Sequence, residues 1–178
     1  MATEEKNEKS VTELARRTTT AWRVSIYASV VLWVAAIGGN VALFAVHPAR
    51  HWPLLETVET LQVASLIPVA LILHALNRRW ALSLPVTALG IAAMLAGVAI
   101  DIGFVTELVT YGKGFIGGPG FYIYEVLVLV WLLAANVLAW RADTLPRGLA
   151  LLGMATAGTA TLLYPLWAIW LSRVLQHE

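Results

Sequence analysis

Residues 81–105, ALSLPVTALGIAAMLAGVAIDIGFV, are apolar or small almost throughout and contain one charge, Asp101. At 1.5 Å per residue, a helix of this length exceeds the roughly 30 Å of bilayer hydrocarbon. The polarity does not alternate as it would in a barrel strand. The segment therefore reads as a transmembrane helix. Four others share its character: residues 24–46, 54–76, 121–140 and 148–171.

The whole chain agrees with that reading. Of its 178 residues, 59% are hydrophobic and 13% charged, against about 45–50% and 25% in soluble domains. The expected fold class is all-α, an integral membrane bundle of five transmembrane helices forming one domain over residues 21–178. Residues 1–20 are polar and rich in Glu, Lys and Thr. They lack the basic region, short apolar core and small-residue cleavage site of a signal peptide, and are expected to form a retained cytoplasmic tail. That tail is either disordered or a short surface helix around Val11 and Leu14.

Charge sets the orientation, because Lys and Arg concentrate in cytoplasmic loops. With five spans and a cytoplasmic N-terminus, Lys6, Lys9, Arg16, Arg17, Arg23, Arg78, Arg79, Arg141 and Arg147 lie inside, and Arg50, Lys113 and Arg173 outside. This places the C-terminus outside. Trp22, Trp80 and Trp140 fall at inner ends of spans and Trp52 and Trp170 at outer ends, where amphipathic rings settle at headgroup level. The short connections 77–80 and 141–147 make their flanking spans antiparallel neighbours. Ala93 with Gly97, and Gly153 with Ala157, have the small-xxx-small spacing that lets helices approach. Pro68 and Pro165 fall inside expected spans and remove backbone donors, so kinks are expected there.

Several kinds of chemistry are excluded or unsupported. The chain has no cysteine, so disulfides, thiolate metal sites and cysteine nucleophiles are ruled out. A net charge of +1 offers nothing to nucleic acid. The expected partners are the lipid bilayer and a second copy or another membrane protein. No internal repeat is visible, and five spans do not divide into inverted halves of the kind many transporters use. Gly112, Gly114 and Gly117 match G-x-G-x-x-G in form, but they join two spans and lack the strand–turn–helix setting that a dinucleotide fingerprint requires. A lid or re-entrant turn suits that loop better, with Phe115, Phe121, Tyr122 and Tyr124 at the interface.

The polar residues within spans are the lead to function. Counted from the outer boundary, Asn40, Glu59, Asp101, Glu125 and Tyr164 come from five different helices and reach a common depth of roughly 6–10 Å. A carboxylate at that depth is costly against lipid and far less so facing the bundle interior or water. These five residues are therefore expected to line an outward-facing pocket for a cation, a proton or a small polar ligand, in transport or sensing. No cofactor is required. The alternative is that the acids only fasten helices in a structural or regulatory subunit. Glu56, in the first turn after Pro53, complements the helix dipole. His47 and His51, with nearby carboxylates, are candidate ligands for a metal on the outer surface, which would serve a metal-dependent intramembrane enzyme. Pro48 and Pro53 place these histidines in a turn, and no HExxH arrangement is present. His74, at the opposite end of its span, reads as an interfacial side chain.

Two stretches carry a family resemblance. LLETVETLQVASLIPVALILHALNRRWAL, residues 54–82, has an acidic start and ends in paired arginines. VLVLVWLLAANVLAWRADTLPRGLALLGMATAG, residues 126–158, leads through the short basic loop Leu145, Pro146, Arg147 and Gly148. Over about one third of its length the chain thus resembles domain of unknown function 4386, a bacterial multi-pass membrane family. The resemblance implies a bacterial inner membrane and transfers no activity or site.

Overall fold

The computed structural model describes residues 2–46, 53–110, 113–159 and 161–176, with side chains from residue 19 onward except at 43, 44, 46, 53 and 54. The expected all-helical fold is found. Helix α1 spans Ala2–Val46, α2 Pro53–Asn77, α3 Ser83–Val105, α4 Phe121–Arg141, α5 Arg147–Gly158 and α6 Tyr164–Val174. A π-helical turn, Ile116–Gly120, leads into α4.

Among the described residues four helices are long and apolar enough to cross a membrane: Thr19–Ala42 within α1, Leu55–Asn77, Ser83–Val105, and Ile116–Arg141. Their exposed surface is itself hydrophobic, with Val31, Leu61, Leu84 and Val126 each at least half accessible. Such a surface suits hydrocarbon as its solvent. At 45 residues, α1 is about 67 Å long. The polar N-terminal residues from Ala2 onward and the first apolar segment are therefore one continuous helix. Pro68 lies inside α2 without ending it.

The fifth expected span is not a continuous helix. α5 has 12 residues and α6 has 11, so each is only about 16–18 Å long. The turn between them reverses the chain. Gly148, at the start of α5, lies against the ring of Trp170 near the end of α6, where a Cβ on the glycine would come within 2.9 Å of it. Along α1 the partners run in opposite order. Trp33 Nε1 donates to Thr161 Oγ1 at 3.2 Å, and the Ser29 and Tyr164 hydroxyls are 2.7 Å apart. Tyr27 lies beside Ser172, and the Gln176 carboxamide, with its oxygen turned inward, accepts from the Arg23 guanidinium. α6 is therefore antiparallel to α1, and α5 and α6 form a half-length hairpin.

The local sequence accounts for the reversal. Thr161 takes a left-handed conformation, φ 68°, and its N–H bonds the Thr156 carbonyl at 2.9 Å, closing the end of α5. Pro165 then sits in the first turn of α6, where its missing N–H costs nothing. The proline starts a helix instead of kinking one.

Packing of α1 on α2, α2 on α3, α3 on α4, α4 on α5 and α6 on α1 closes the ring. One end of the bundle carries Arg23, the Arg78–Arg79 turn, Arg141, Arg147 and Gln176. There Thr144 Oγ1 donates to Asn77 Oδ1 at 2.7 Å, and His74 Nδ1 meets the Ser83 hydroxyl at 2.9 Å. His74 is thus tied into the α2–α3 turn. Midway along the bundle, fully buried Asn136 holds the hairpin to α4. Its Oδ1 accepts from Trp167 Nε1 at 3.1 Å, its Nδ2 donates to the Leu132 carbonyl at 2.8 Å, and its amide fills the space that Gly153 leaves open on α5.

Candidate functional site

At the end opposite the arginines, three helices present the carboxylates and a fourth, α1, an amide partner. Asn40 of α1 donates through Nδ2 to Glu59 Oε1 of α2 and to the Ala36 carbonyl at 3.1 Å. Glu56, one turn earlier on α2, is buried, and its carbonyl accepts from the Thr60 hydroxyl at 2.7 Å. Its place in the first turn of α2 agrees with the expected dipole role.

Asp101 of α3 is only 3% exposed. Its Oδ1 accepts from the Tyr124 hydroxyl of α4 at 3.5 Å, the outer limit of a useful bond. Its Oδ2 is buried without a hydrogen-bond partner among the described residues. The charges of Glu59, Glu125 and Glu56 all act on Asp101, and that of Glu59 acts on Glu125. The side chain of Glu125 is exposed while that of Asp101 is enclosed, so the cluster runs from a buried acid to an accessible one.

The hairpin explains that exposure. Its hydrogen bonds climb α1 only as far as Trp33. Past that level Gly38 and Val41 of α1 are exposed, as is Glu125 on α4. Among the described residues, no hydrogen bond of the hairpin reaches α1 beyond Trp33 on the side of the carboxylates.

An aromatic cluster extends from Asp101 through Tyr124. The Tyr124 ring packs on Gly97 of α3, where a Cβ would collide with it. Phe121 makes edge-to-face contacts with Tyr124 and Tyr122, both at 5.4 Å, and with Phe104 at 5.9 Å. On the far side of Tyr124 an apolar groove of about 470 Å³ runs between α3 and α4, lined by Ala92, Ala96, Ile100, Ile123 and Tyr124 and covered at one end by Phe115 and Ile116. The glycine-rich connection thus packs over this groove. Gly117 approaches the Thr110 carbonyl too closely for a side chain.

The structure places Asn40, Glu59, Asp101 and Glu125 at one end of the bundle and separates Tyr164 from them. Tyr164 bonds Ser29, which lies about 16 Å further down α1 than Asn40 at 1.5 Å per residue. Its expected depth assumed a continuous fifth helix. His47 and His51 lie outside the described residues. Among the described residues no group of three or more His, Asp or Glu is placed to hold a metal ion. Sequence reasoning missed Ser29, Trp33, Asn136, Thr161 and Trp167, which anchor the hairpin. The one signal available was Asn136, an amide in an apolar helix. No family model, curated protein or solved structure matches the chain.

Proposed function

We propose that this protein is a membrane-embedded binding protein, serving transport or sensing, whose carboxylate cluster takes a cation, a proton or a small polar ligand. One observation carries this reading: Asp101 is enclosed with one carboxylate oxygen unpartnered among the described residues, next to two further acids. Burying such a group uncompensated costs several kcal/mol in principle. A cation or proton bound there would offset that cost. The exposure of Glu125 supplies an entrance.

We read the topology as four spans plus a re-entrant hairpin, with both chain ends in the cytoplasm. The hairpin returns Arg173 to the inner side. Of the twelve Lys and Arg, only Arg50 and Lys113 then face outward, a stronger asymmetry than five spans give. The carboxylate site opens to the outside of an inner membrane. The likeness of residues 54–82 and 126–158 to domain of unknown function 4386 fits this class of protein and assigns no activity.

Native mass spectrometry of gently purified protein tests the reading, with wild type beside Asp101→Asn and Glu59→Gln. A bound ion or small molecule in wild type, absent from both variants, is the expected result. Identical ligand-free spectra from all three, together with a co-purifying membrane protein, would favour the structural-subunit reading. That second reading has its own support, since Asn40–Glu59 joins α1 to α2 and Tyr124–Asp101 joins α3 to α4.

A further inference from the structure

We propose that the ligand of this site is a lipophilic organic cation, which enters sideways from the bilayer through the α3–α4 groove and places its charge at Asp101. The inference rests on the carboxylate site proposed above and adds the chemical class of its occupant.

Three observations carry it. First, the groove and the acid share a wall. The Tyr124 ring lines the groove while its hydroxyl reaches Asp101 Oδ1, and Ile100, the residue before Asp101, lines the groove as well. One aromatic ring thus stands between a hydrocarbon-lined space and a buried carboxylate whose second oxygen has no partner among the described residues. Charge and apolar volume are thus adjacent, as an amphiphilic cation requires.

Second, size and lining fit. About 470 Å³ lies in the range of small-molecule sites, and the lining side chains are aliphatic or aromatic. Ala92, Ala96 and Ala99 keep the α3 wall shallow. The rings of Phe104, Phe121, Tyr122 and Tyr124 cluster where the charge would arrive. Aromatic faces attract weakly hydrated organic cations.

Third, the acids suit a diffuse charge better than a compact one. Glu59, Asp101 and Glu125 feel one another's charge but do not converge into a metal-binding group. A small divalent ion needs several oxygens within about 2.6 Å. A bulky cation needs only the summed field of the three acids.

The test uses tetraphenylphosphonium, titrated into the full chain in phosphatidylcholine nanodiscs, with Na⁺ titrated separately and Asp101-dependent proton uptake followed. Ala96→Leu fills the groove from the lipid side, Ala92→Leu does so a turn away, and Leu95→Ala alters an exposed residue outside it. The expected result is saturable phosphonium binding that weakens on the order of tenfold or more in Asp101→Asn and in at least one groove variant that keeps the wild-type melting temperature, and that Leu95→Ala leaves unchanged. Wild-type phosphonium affinity in folded Ala96→Leu and Ala92→Leu would overturn the groove. No phosphonium binding, with Na⁺ binding or proton uptake still dependent on Asp101, would overturn the lipophilic class and leave the carboxylate site standing. If none of the three readouts depends on Asp101, both readings fail.

Discussion

Individual side chains decide how the acids are tolerated. Asn40 was legible as a partner because an amide in an apolar helix needs one, and the structure gives it Glu59. We expect Asn40→Ala to leave Glu59 without that donor and to destabilise the protein by about 1–3 kcal/mol, read as a lower melting temperature in detergent. Asn136 makes the same point in reverse. Asn136→Leu keeps the volume but strands the Trp167 indole N–H in the core, and should cost about 1–3 kcal/mol. Gly153→Val drives a branched side chain into the Asn136 amide and adds an overpacking cost of about 1–3 kcal/mol. Both should loosen the hairpin without changing the affinity of the distant carboxylate site. A loss of ligand binding equal to that of Asp101→Asn would show that hairpin and site act as one unit. Only half of this was readable from sequence. Asn136 was visible as a polar residue in a span, but Trp167 and Gly153 converge on it only because α6 turns back.

At the scale of elements the hairpin is the informative case. Residues 148–171 form an apolar run with few break signals, and hydropathy registers composition without direction, so one continuous span was the natural expectation. The relevant signals were Gly158, Thr159 and Thr161 followed four residues later by Pro165, and these read equally well as a kink. The difference lies in Thr161, whose left-handed backbone is accepted because its hydroxyl receives the Trp33 indole N–H. A β-branched residue in that conformation stores roughly 1–2 kcal/mol. We therefore expect opposing effects at Thr161. In the wild-type background Thr161→Gly relieves strain but loses the acceptor for Trp33, giving little net change. In a Trp33→Phe background the acceptor is idle, and Thr161→Gly should raise stability by about 0.5–1 kcal/mol. Equal shifts in the two backgrounds would show that the Trp33–Thr161 bond does not hold the turn.

For the molecule as a whole, span count and topology are one question, because a half-length hairpin in place of a fifth span would leave four crossings and keep the last residues on the side of the arginines. The all-helical membrane class and the antiparallel order of the first four helices could be read from composition and charge. The side occupied by Gln176 could not, because it depends on one turn in the middle of an apolar stretch. The absence of native cysteine makes the test clean, since a single introduced thiol is the only one that a maleimide can find. Arg78→Cys, Lys113→Cys and Gln176→Cys sample the arginine end, the opposite end and the chain end. In intact cells a membrane-impermeant maleimide should label only Lys113→Cys, and permeabilisation should expose the other two. Five continuous spans would instead put Gln176→Cys in the same labelling class as Lys113→Cys. The charge distribution argues for the first outcome, because the hairpin is the arrangement that gathers Arg173 with Arg23, Arg78, Arg79, Arg141 and Arg147 on one side. Labelling of Gln176→Cys in intact cells would return Tyr164 to the level of Asn40 and reopen the outer half of the bundle as a five-helix site.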